Sequence, residues 1–199
     1  MYQIKVKVRG LSPVAFNQPS ETLREEISSG RGGGRRSEHD AFAEAEARIY
    51  KNGHGVYLPS KWFRKSMLEG ASLSKIKYKQ TGIRQYLEGT VLIQEREILT
   101  GKDTYDFMYG RWGRIPPKTG ALAWIQTPAL NEGWEVGFTF VVFDNGVHPD
   151  YVQVALATGG AYKGVGNNRP EFGRFEITGW EVMDYEPPAQ DDEEDEEED

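Results

Sequence analysis

Towards its end the chain joins a helical segment to a strand through GGAYKGVGNNRPEFGRFE, Gly159 to Glu176. Five glycines, one proline and three basic residues (Lys163, Arg169, Arg174) lie in this stretch. Glycine reaches positive φ freely and leaves neighbouring amides unshielded, so such a loop can double back tightly and surround an anion. Its place in the chain restricts the fold. A dinucleotide fingerprint runs strand, then G-x-G-x-x-G, then helix, whereas these glycines follow a helix and feed a strand. No G-x-x-x-x-G-K-S/T pattern occurs. The expectation is a cradle for a sugar–phosphate backbone rather than for a nucleotide cofactor.

The flanking segments set the architecture. Gln3 to Val8 (QIKVKV) alternates with period two and reads as a strand. Ala41 to Lys51 suits a helix by propensity. Gly55 to Leu58 (GVYL) is a short strand stopped by Pro59, with Ser60 as N-cap of a helix over Lys61–Ser72. In that helix Phe63, Met67 and Ala71 fall at i, i+4, i+8 for the core, and Lys61, Arg64 and Lys65 lie opposite. Thr90 to Leu99 reads as a strand, and Ala121–Thr127 with Trp134–Phe143 as a hairpin around Asn131-Glu132-Gly133. Asn145-Gly146 turns the chain, His148 caps, and Pro149 with Asp150 opens a helix over Tyr151–Thr158 that Gly159-Gly160 closes. Arg174 to Met183 alternates as the last strand. Without its insertions the order approximates βαββαβ, an α+β fold with an elaborated ferredoxin-like or RRM-like antiparallel sheet.

With 199 residues and 38% hydrophobic content, the expectation is one domain over residues 1–186, followed by a disordered acidic tail over 187–199. Asp191 to Asp199 is a block of nine carboxylates. Nine of the 31 acidic residues lie in it, leaving 22 against 24 basic ones, so the net charge of −7 describes the tail rather than the body. Cysteine is absent, which excludes disulfides and thiolate metal sites and fits a cytoplasmic protein. No apolar run reaches membrane-spanning length, and the opening MYQIKVKVRG lacks a signal-peptide core.

The three histidines, His39, His54 and His148, form no cluster of metal-ligand spacing, and no G-x-S-x-G elbow occurs. A non-enzymatic protein without cofactor or metal is expected. A strand of nucleic acid is gripped by cations along its phosphates and aromatic faces against its bases. Basic residues recur at Arg31, Arg35 and Arg36 in the Gly/Arg loop of residues 24–40, at Lys61, Arg64 and Lys65, and at Lys163, Arg169 and Arg174. The insertion over residues 100–120 adds Tyr105, Tyr109 and Trp112 with Arg111 and Arg114. The arginines and lysines are expected on phosphates, the three aromatics on bases.

The stretch GVGNNRPEFGRFEITGWEV resembles the C-terminal glycine-rich loop and strand of the RAMP superfamily of CRISPR effector subunits. It is especially similar to phage and mobile-element proteins with a G-x-G-x-x-R-P-x-x-G-R-F signature, and GVYLPSKWFRKSMLEGAS resembles that group's strand–Pro–helix element. The resemblance implies an RRM-derived fold and sequence-tolerant binding by subunits that line up along a strand. It also implies that Gly164, Gly166, Arg169, Gly173 and Arg174 form the cradle. The short chain and the acidic tail depart from the guide-RNA-binding members, and the tail is similar to those of replication single-stranded DNA-binding proteins. The leading expectation is therefore a phage or mobile-element protein that binds single-stranded DNA in replication or recombination and recruits partners through its tail. A guide-RNA-binding subunit of a CRISPR-like effector, or a non-catalytic structural or interaction protein, is the alternative.

Overall fold

The computed structural model describes residues 1–18, 42–43, 45–115 and 121–185. Its elements in chain order are β1 (Tyr2–Gly10), β2 (Val14–Ala15), β3 (Lys51–Asn52), β4 (Gly55–Pro59), α1 (Ser60–Ser74), β5 (Lys77–Tyr78), β6 (Thr81–Gly82) and α2 (Ile83–Thr90). There follow β7 (Val91–Ile93), β8 (Glu97–Leu99), β9 (Phe107–Ile115), β10 (Ala121–Leu130), β11 (Glu135–Val142), α3 (Pro149–Tyr162) and β12 (Phe175–Asp184). The main sheet is antiparallel with the order β12-β1-β11-β7. Counting β1, β7, β11 and β12 as the four strands of βαββαβ, this is the order 4-1-3-2 of the ferredoxin-like fold.

Alternation in β1 and β11 builds the core. Ile4, Val6 and Val8 point to the helix side with Val136, Phe138 and Phe140, while Lys5, Lys7 and Arg9 are exposed on the other side. On α1 the expected core residues Phe63, Met67 and Ala71 are all buried. Phe63 sits at the centre, 4.9 Å from Phe138 and 5.5 Å from Phe175 between ring centroids. Fully burying such a side chain stabilises by about 1.5–3 kcal/mol, so truncating Phe63 would open the whole helix–sheet interface.

The strand expected over Thr90–Leu99 divides into β7, which pairs with β11, and β8, which pairs with β4, and three other local expectations change. The cap position of α1 is Pro59, not Ser60, and it makes no side-chain cap bond; the Ser60 amide donates instead to the Arg96 carbonyl at 3.1 Å. Gly159-Gly160 does not close α3, which runs on to Tyr162. A Cβ on Gly159 would lie 2.1 Å from the Ser66 carbonyl oxygen, and one on Gly160 would lie 2.5 Å from that of Phe175. These glycines let α3 approach α1 and β12 closely. The expected cap at His148 is present: its Nδ1 accepts from the Asp150 amide at 3.3 Å.

The third change concerns β10. It does not pair with β11 across the turn. β11 lies between β1 and β7, whereas β10 pairs with β2 and, over nine residues from Ala121↔Ile115 to Ala129↔Phe107, with β9. Much of the segment read as a polar insertion is thus the first arm of a hairpin. The apolar face of β11 is satisfied inside the main sheet, which leaves β10 to pair with the glycine- and arginine-rich β9. Among the described residues, no helix is long and apolar enough to cross a membrane.

Candidate nucleic-acid interface

The glycine loop leaves α3 at Lys163 and reverses on itself. Gly164, Gly166 and Gly173 have φ of 67°, 77° and 76°, and Asn168 has 58°. A Cβ on Gly173 would fall 1.8 Å from the Val165 carbonyl oxygen, so glycine is required there twice over, by angle and by space. The amides of the loop mostly bond within the protein. Lys163 and Gly164 donate to the Gly159 carbonyl at 2.8 and 2.9 Å, and Val165 donates to Gly173 at 2.9 Å. Asn167 donates to Ala15 at 2.9 Å and Gly173 to Pro13 at 2.7 Å. The glycines therefore stitch a rigid loop to the β1–β2 segment rather than holding a row of amides open.

What that rigid loop presents is a small hollow of about 110 Å³ between Trp62, Lys65, Val165, Gly166 and Arg169. The indole of Trp62 is held by Tyr50 (ring centroids 5.3 Å apart) and Phe16 (6.4 Å). Arg169 donates from Nη1 to Glu69 Oε2 at 3.0 Å and to the Gly164 carbonyl at 3.3 Å, and its side chain is 24% exposed. Lys65 Nζ stands 4.0 Å from the other Glu69 oxygen. One carboxylate thus orients two cations, and the trio keeps a net positive charge. A guanidinium carries five N–H donors, so Arg169 retains donors beyond these bonds. Such a rim suits one phosphate beside one aromatic face.

The other expected residues divide. Arg174 is exposed, but its Nε donates to the Pro170 carbonyl at 2.8 Å and latches the loop. Arg64 turns away from the hollow and donates to the carbonyls of Glu88 and, at 3.4 Å, Val91, at the end of α2. Lys61 is exposed on the first turn of α1. Arg31, Arg35 and Arg36 and the acidic tail lie outside the described residues.

The β9–β10 hairpin meets the glycine loop through Tyr109, whose ring lies 4.7 Å from that of Phe172 at 67°. On the opposite face Trp112 pairs in register with Trp124, with ring centroids 5.3 Å apart. Trp124 lies over Gly110, where a Cβ would come within 2.2 Å of its ring. Trp112, Trp124 and Leu122 are 64%, 50% and 62% exposed and share one face of the hairpin. Arg111 is exposed on the other face, and Arg114 stands in β9 opposite Leu122. Tyr105 donates its hydroxyl to Glu46 Oε1 at 3.0 Å; burial and that carboxylate raise its pKa. At the hairpin base, burial pushes the Asp106 carboxyl up, but Lys102 Nζ at 2.7 Å and the Asn131 amide at 2.8 Å outweigh it and hold the group below its ordinary value.

Sequence reasoning missed Trp62, Glu69, Phe172 and Trp124. Trp62, Lys65 and Glu69 follow the i, i+3, i+7 spacing of one helix stripe, which would have joined them. Trp124 carried no such signal, because its meaning depends on the pairing with β9.

The fold is an α+β domain with the ferredoxin-like sheet order. No known family pattern matches the sequence, and no curated protein is similar to it. A solved chain from the type III-B Cmr-β complex, determined by cryo-EM bound to cognate target RNA, is similar in fold with a TM-score of 0.53 and 12% identity. The alignment covers 92% of this chain and 61% of that one, so the present chain spans less than two thirds of its neighbour's length.

Proposed function

We propose that this chain is a nucleic-acid-binding subunit of a CRISPR-like, RNA-containing effector assembly, holding a strand of RNA by its backbone. The observation that carries the reading is the hollow at the glycine loop, where Lys65 and Arg169 flank Trp62 on a RAMP-like fold. The solved neighbour belongs to an assembly that holds RNA, which favours RNA over single-stranded DNA. Lys65, Arg169 and Lys61 take phosphates in this reading, Trp62 and Trp112 take bases, and the chain performs no catalysis of its own. The phage single-stranded DNA role draws no support from that neighbour and rests on the acidic tail Asp191–Asp199.

Titration of the full chain with fluorescent single-stranded RNA and DNA of equal length, at several salt concentrations, tests the proposal. RNA is expected to bind more tightly through its 2′-hydroxyls, with log affinity falling by about 0.7 per neutralised phosphate against log salt. Removing Asp191–Asp199 is expected to tighten binding. Preference for DNA would move the assignment to the second reading, and absence of salt-dependent binding by the tail-less chain would end both.

A further inference from the structure

A second basic hollow lies at the other end of α1. It has a volume of about 520 Å³, and Ser72, Lys75, Lys77, Gly82 and Arg84 are among its lining residues. Three of the lining residues are basic and none is acidic. Lys75, Lys77 and Arg84 are exposed. Among the described residues Arg84 Nε forms an ion pair with Glu88 at 4.0 Å, and Arg84 Nη1 donates to Ser72 Oγ at 3.2 Å. α2 begins here with Gly82 at its cap, no side-chain cap bond and no acidic residue in its first turn, so the positive helix end adds to the three cations.

Of these three cations, Lys75 is held at a backbone cost. Lys75 terminates α1 at φ 55°, and the two-residue β5–β6 turn places Lys79 at 46° and Gln80 at 69°. Glycine or asparagine fits such positions with less strain.

The two hollows share a stripe. Lys65, Glu69 and Ser72 follow the i, i+4, i+7 spacing on α1, with Lys65 lining the first hollow and Ser72 the second. At 1.5 Å per residue the separation along the axis is about 10 Å. That is about three stacked nucleotides at roughly 3.4 Å each. We infer that the Lys75–Lys77–Arg84 hollow is a second phosphate-binding station, gripping the same nucleic-acid strand a few nucleotides beyond the glycine loop. The inference rests on the nucleic-acid reading above and extends its footprint.

The test uses the full chain carrying Lys75→Asn, Lys77→Gln and Arg84→Gln, with asparagine chosen because it tolerates the left-handed angle. A dinucleotide, shorter than the roughly three-nucleotide separation, engages one station, whereas a single-stranded RNA of about twelve nucleotides spans both. For the longer RNA, loss of three cations is expected to lower the salt slope by about 2, and Lys77→Gln alone by about 0.7. The shorter RNA is expected to bind as to the unaltered chain. A matched control, Lys5→Gln with Lys7→Gln and Lys51→Gln, removes three exposed charges elsewhere and should leave both slopes nearly unchanged. An unchanged slope for the longer RNA overturns the second station while leaving the glycine-loop site intact. Equal losses for both lengths overturn it as well, since the effect would then be general attraction. An unaltered chain that binds neither RNA overturns the parent reading and this one together.

Discussion

Gly159→Ala puts the helix pair that carries the glycine loop to a direct test. In an open helix, glycine to alanine stabilises by about 1 kcal/mol, because glycine has more backbone freedom to lose on folding. At Gly159 the new Cβ would stand 2.1 Å from the Ser66 carbonyl oxygen and 2.6 Å from its carbon, both backbone atoms that no rotamer can move. Ordinary contact begins at 3.4 Å, so α1 and α3 would have to part by about 1.3 Å at this point. The approach is close on the α1 side too, where a Cβ on Gly70 would lie 2.1 Å from the Ala155 carbonyl oxygen and 2.3 Å from the Gly159 amide nitrogen. Overpacking of this severity costs about 3 kcal/mol, the upper end of its usual range. Setting the helix-propensity gain against it leaves about 2 kcal/mol of net destabilisation, or about 4–8 °C in Tm for a domain of this size. Thermal melts followed by circular dichroism measure this directly. Gly89→Ala in α2 is the internal control: nothing lies within 4 Å of its Cβ, so the same substitution should leave stability equal or higher. A Tm for Gly159→Ala at or above that of the unaltered chain would refute the close-packing argument.

Trp112→Ala removes a side chain that is 64% exposed, so the melt should move by less than about 0.5 kcal/mol while RNA binding weakens by about 1–3 kcal/mol. Unchanged affinity would remove this face of the hairpin from the interface. The Asp106 carboxyl, held below its ordinary value in the fold, contributes stability at pH above its unfolded value of about 3.9 and loses it as pH falls through the folded value. Asp106→Asn should flatten that part of the acid limb in urea midpoints measured between about pH 2 and 5. An acid limb identical in both proteins would place the dependence on other carboxylates.

Much of the scaffold was legible because it follows from local periods. The alternation of β1 and β11, the i, i+4, i+8 stripe of Phe63, Met67 and Ala71, and the Pro149 helix start each follow from a few neighbouring residues. The partner of β10 was not legible. Ala121–Thr127 alternates equally well beside β9 or β11, and only the prior claim of β1 and β7 on β11 settles which it joins. The candidate site divides along the same line. Lys65 and Glu69 were legible as an i, i+4 helical pair, but that Arg169 joins them was not, because Arg169 and Glu69 meet across 100 residues of chain.

The residues alone determined the βαββαβ frame and the buried stripes of β1, β11 and α1, but neither α2 nor β9. They did so because backbone sterics and hydrophobic period act within a turn or two of chain. The tertiary fold decided what the glycines are for. At Gly159 and Gly160 they admit a neighbouring backbone, and in the loop they direct amides inward to Ala15, Pro13 and one another. A glycine's freedom is local, but what approaches it is set by chain that lies far away in sequence.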